Sequence, residues 1–262
     1  MNKEISCIKN CLLFFTLLLF SDSIYANNAS YIALSNYVSK QYQLQIIANN
    51  VANSNTIGYE SDRPVFNTVS LNGSNSVQVL GAYKSNEQGT IKFTNNPLHL
   101  AIDDKNAYFK ILTSRGERYT LDGMIFINKD NMLVNSAGEY FSNRDSTAIT
   151  LPNTLQQDSL HVTILDDGTV YVGEDQVDQL GIFYIANRNL LSKEGNNLYI
   201  SSVDGILLDE LKLNVGALRM SDVKNTNEMM NVMESQQASE KSTNLMNAIA
   251  GINSTVIKNM TN

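Results

Sequence analysis

The sequence predicts an α+β fold in which long, coiled-coil-like N- and C-terminal helices flank a central β-rich domain. Three observations predict it. Between Ser30 and Val51 there is neither Gly nor Pro, and Leu34, Tyr37, Leu44, Ala48 and Val51 recur at helical spacing, with Gln41 filling one seam position. From Gly89 to about Val215 short apolar runs alternate with turn residues. From about Thr226 to Lys258 the helical period returns, with Met230, Met233 and Gln237, then Leu245, Ile249, Ile252 and Val256, on one seam.

Taken in chain order, residues 1–26 read as an address rather than as structure. Lys3 and Lys9 precede the apolar run Cys11 to Phe20, and a polar stretch, Ser21 to Tyr25, leads to Ala26, after which cleavage is expected. The run is too short to span a bilayer as a stable helix, and a plain apolar anchor is the alternative. Both cysteines, Cys7 and Cys11, lie in this segment, so no disulfide or thiol nucleophile is expected beyond it. It contains two bases (Lys3, Lys9) and two acids (Glu4, Asp22), so its removal leaves the net charge at -7. That acidity opposes a phosphate-neutralising surface, and nucleic acid is not an expected partner.

Residues 27–59 form the N-terminal helix and the run that ends it. Val38, Ile46 and Ile47 widen the apolar face beyond what a lone solvated helix carries, so a partner helix is expected. Asn49, Asn50, Asn53, Asn55 and Gly58 are residues that end helices or tolerate positive φ. Residues 60–88 are polar with scattered Val and Phe and read as an extended connector. Within the β-rich stretch 89–215, Ser114-Arg115-Gly116 and Asp167-Gly168 are expected hairpin junctions, since Gly permits the reversal. In 216–262, Asn225 and Glu228 have the spacing of a capping box. At 1.5 Å per residue the second helix would be about 50 Å long, more than the ~30 Å span of a small domain. It therefore reads as packing between subunits, although a terminal helix pair closing its own domain stays open.

Several blocks carry a resemblance. Tyr31 to Ser35 (YIALS) and Ile46 to Tyr59 (IIANNVANSNTIGY) are similar to the N-terminal signature of bacterial flagellar rod and hook proteins. Further similarity runs through Thr94 to Ile102 (TNNPLHLAI), Gly116 to Thr120, Asp167 to Val170, Lys193 to Tyr199 and Asn225 to Met233. The resemblance implies a rod subunit, placed proximally with the distal rod as the alternative. Its partners would be copies of itself and other rod proteins, with no cofactor, no catalysis and no small-molecule substrate. In such a subunit Leu34, Leu44, Ala48 and Val51 are expected to meet Leu245, Ile249, Ile252 and Val256 within and between subunits, with Tyr37, Asn49, Asn50, Asn53, Met230 and Met233 expected at the same assembly interface. Asn95 stands where the family has Gly, and Asn tolerates positive φ better than most residues. Asp104 to Ala107 and Gln237 to Ser239 also depart from the pattern, as does the signal-like segment. That segment motivates a second reading, a secreted binding module or adhesin on the rod fold.

Residue chemistry points away from an enzyme. His99 and His161 have no His or Cys neighbours at metal-ligand spacing. Asp103-Asp104 and Asp166-Asp167 are the expected carboxylates of solvated turns, with a hydrolase the remaining alternative. No Gly-x-Ser-x-Gly elbow or phosphate-cradling loop occurs in the sequence.

Overall fold

The computed structural model of the chain describes residues 28–71, 74–152, 162–209 and 212–260. The signal-like segment and His161 lie outside these. The chain divides into two compact units: one gathers residues up to Asn49, Pro64–Ala82 and Thr226 onward, and the other holds Asn50–Arg63 and Tyr83–Asn225.

The first unit contains most of helix α1, over 28–52, and of α2, Asn225–Met260. It also holds much of a hairpin of two long strands, β1 (Asp62–Leu71) and β2 (Ser74–Lys84). The stretch expected as an extended connector is thus paired strand. Ser35 of α1 accepts at Oγ from the Val77 amide of β2 at 3.3 Å.

Apart from the end of α1, the start of α2 and a 3-10 turn at Arg188–Leu190, the regular structure described in the second unit is β. Its largest sheet centres on β5 (Ala107–Thr113), which pairs with β6 (Gly116–Thr120) on one edge, and with β9 (Tyr140–Phe141) and β13 (Ile182–Tyr184) on the other. The neighbours pair both edges of β5, and packing covers both its faces, so residues 107–111 are all buried. Ala107, Phe109 and Ile111 point into the main core with Leu100, Phe141 and Ile149. Tyr108 enters a second cluster with Tyr119, Phe183 and Tyr199. The alternation is the period-2 consequence of the pleat. The expected hairpins form at Gly116 and Gly168, both at positive φ (102° and 84°). A three-stranded sheet joins β10 (Val162–Ile164), β11 (Thr169–Val172) and β12 (Asp175–Gln179).

The α+β reading, with long coiled-coil-like helices flanking a β domain, is overturned. Among the described residues there are eighteen strands and two α-helices, the first being the shorter, so the protein is mainly β. The helices do not share the expected apolar seam. The buried positions of α2 are Glu228, Ser235, Ser239, Ser242 and Ile249, while Met230, Met233, Leu245, Ile252 and Val256 are exposed. Of the three serines on this face, Ser242 bonds back to its own helix, its Oγ donating to Ala238 O at 3.0 Å, whereas the buried hydroxyls of Ser235 and Ser239 have no hydrogen-bond partner among the described residues.

Candidate functional site

The turn that leaves α1 is held by its own side chains. Asn50 is buried, and its amide donates to Asp62 O at 3.0 Å while Oδ1 accepts from Asp62 N at 3.0 Å and from the Tyr59 hydroxyl at 3.3 Å. One side chain thus stands in for a neighbouring strand, satisfying both backbone groups of Asp62. Gly58 sits at φ 67° and donates its N–H to Arg219 O at 2.7 Å. A Cβ there would lie 2.6 Å from the Leu121 carbonyl carbon. Gly58→Ala combines a left-handed conformation with a backbone clash and should cost about 3 kcal/mol, read as a lowered urea midpoint. An unchanged midpoint would mean that the turn repacks freely.

Directly after this turn lies a buried ionic cluster. Glu60, 6% exposed, pairs with Arg188, and Lys193 Nζ donates to Glu60 O at 2.6 Å and to the Asp62 carboxylate at 2.8 Å. The Ser61 amide and hydroxyl donate to the Asp222 carboxylate at 2.7 and 3.0 Å. Arg219, Tyr108 and Tyr199 close the cluster, the two tyrosine rings meeting edge to face at 5.9 Å. Burial pushes the Glu60 carboxyl up although Arg188, Arg219 and Lys84 pull it down. Burial likewise pushes Lys84 and Arg219 down, and the Tyr108 and Tyr199 phenols up. Chemically this is a lock: it fastens residues 60–62 to side chains over a hundred positions away. Sequence reasoning missed it, because single charges at such separations leave no local pattern.

The residues expected at an assembly interface do not form one set. On α1, Leu34, Ala48 and Asn49 are exposed, Tyr37, Leu44, Val51 and Asn53 are half-buried, and Asn50 is buried in the turn just described. On α2 only Ile249 is buried, whereas Met230, Met233, Leu245, Ile252 and Val256 face outward. Tyr37 borders a cavity of about 380 Å³ with Ser239, Glu240, Thr243 and Asn244, which brings the two helices together. What the structure assembles is therefore an apolar outer row on each helix. On α1 that row includes Tyr31 and Val38, which periodicity had placed beside the seam or outside it.

The carboxylate pairs behave as turn formers. Asp104 Oδ1 accepts from Asn106 N at 2.7 Å and Asp167 Oδ1 from Thr169 N at 2.8 Å. His99 is engaged by Thr94 at 2.9 Å and Asn96 at 3.2 Å. Among the described residues no group of three His, Cys, Asp or Glu side chains could hold a metal ion.

Comparison with known proteins places these features. Residues 38–59, the end of α1 and the Asn50 turn, match the family model described as flagella basal body rod protein. The chain is 28% identical to the flagellar basal-body rod protein FlgF of Caulobacter vibrioides, over 89% of this chain and 98% of that protein. It is 31% identical to FlgG of the same organism, over 65% of this chain and 72% of that protein. FlgG of Bacillus subtilis is 28% identical, over 82% and 92%.

Proposed function

The chain belongs to the flagellar basal-body rod protein family, and from that premise we propose that it is a structural subunit of the rod that works by assembling through α1 and α2. The observation that carries the reading is the apolar outer row on both helices, next to a turn that falls inside the family match. Monomeric proteins seldom expose so many large apolar side chains in line without a partner for them. Its partners are copies of itself and other rod proteins, and its place is the basal body. No catalytic step is part of this function.

Within the rod we assign it to the proximal part. The support is that the Caulobacter FlgF is matched over 98% of its length and 89% of this chain; FlgG of Bacillus subtilis, matched over 92% and 82%, keeps the distal rod as the alternative. The test is immunogold electron microscopy of purified basal bodies carrying an epitope-tagged chain. Label on the proximal rod is the expected result, and label further out would move the chain to the distal rod. Recovery of the chain free in the medium, with none in basal bodies, would sink the rod reading in favour of a secreted module.

A further inference from the structure

The second unit carries two features of opposite charge that the family reading does not use. One is a cavity of about 350 Å³ lined by Tyr83, Lys84, Asn86, Asn106, Arg188 and Asn189, among others, with two cations and no carboxylate in its wall. Lys105 reaches its rim by donating from Nζ to Asn86 O at 3.0 Å. Arg188 is paired with Glu60 behind the cavity wall and its buried Nε has no hydrogen-bond partner, so the charge it presents to the cavity is shared with that carboxylate. The other feature is the turn between β11 and β12. Gly173, Glu174 and Asp175 are all exposed there, and a Cβ on Gly173 would meet nothing within 4 Å. The turn is an exposed acidic tip in which Asp175 opens β12 opposite Val172, and none of its residues lines the cavity.

We propose that the Glu174-Asp175 turn of one copy docks into the Lys84–Arg188 cavity of the next copy. This rests on the rod reading. The occupant follows from charge and shape: in a chain of net charge -7, a cavity walled by Lys, Arg and amides is matched to a carboxylate. The volume accommodates one acidic side chain. Because tip and cavity are different surfaces of one chain, the contact is heterologous, and repeated head to tail it builds a ring or an open filament rather than a two-fold dimer. An open repeat of this kind is compatible with a rod.

The experiment uses charge exchange in the purified full chain, with self-association measured by sedimentation at about 0.05 M and 0.5 M salt. Glu174→Lys with Asp175→Lys should weaken self-association about tenfold or more at low salt and leave the circular dichroism unchanged, since the turn is exposed. Adding Asn86→Asp and Asn189→Asp, two exposed positions on the cavity wall, should restore most of the loss. Unchanged association in the lysine variant, or no recovery in the four-fold variant, would overturn this contact. If the lysine variant also enters basal bodies normally, the contact fails while the rod reading stands. If the unaltered chain does not enter them, it is the rod reading that fails.

Discussion

Glu60→Ala is expected to lower the stability of the second unit by about 3–5 kcal/mol, because it leaves the Arg188 guanidinium buried without its carboxylate. The chain has no Trp and 12 Tyr, so urea unfolding followed by near-ultraviolet circular dichroism will report on Tyr108 and Tyr199 beside the lesion. Glu60→Gln keeps the volume and removes the charge, and it separates electrostatics from packing. The sign of its pH dependence follows from burial, which raises the folded-state carboxyl above its ordinary value. Below the ordinary carboxylate range the protonated Glu60 contributes fully in the native state. As pH rises through the raised folded value that contribution is lost, since the unfolded chain gives up its proton first. Wild type should therefore lose stability relative to Glu60→Gln between acid and neutral pH. A difference that is flat or grows in wild type's favour over that range would show that the surrounding cations, not burial, dominate.

Local chemistry was legible and distant chemistry was not. The reversals at Gly116 and Gly168, and the positive φ of Asn95 (59°), could be read because each depends on residues adjacent in sequence. Helical spacing likewise finds α2, but periodicity only says which residues share a face, not which face turns inward. Ser235, Ser239 and Ser242 are buried at the same spacing as the apolar row opposite, and their small side chains allow close approach to a neighbour. A rule equating apolar with buried therefore inverted the helix. Residues 60–88, expected as an extended connector, pair as a two-stranded hairpin whose residues are mostly exposed or half-buried, so the period-2 signal is weak. The lock at Glu60 had no signal at all, since its partners Arg188, Lys193 and Asp222 are brought together only by the finished sheet.

The inverted helix also decides how the assembly reading should be tested. Ile249 is 8% exposed, whereas Ile252 is 62% and Val256 50% exposed. Ile249→Asp would bury a carboxylate within the first unit and should unfold it, so loss of assembly in that variant says nothing about subunit contacts. Ile252→Asp combined with Val256→Asp changes only outward positions, and the unfolding midpoint should stay within about 0.5 kcal/mol of wild type. In a polymer that covers both residues, each side chain forfeits about 1.5 kcal/mol or more of burial. Together that is about a hundredfold or greater loss of incorporation into basal bodies, measured by quantitative immunoblot of purified particles. The double variant thus pairs an intact monomer with a failed polymer, which a purely internal role for α2 cannot produce. Normal incorporation would mean that the outer row of α2 is bare in the rod as well, and the search for the subunit contact would move to Tyr31, Leu34 and Val38 on α1.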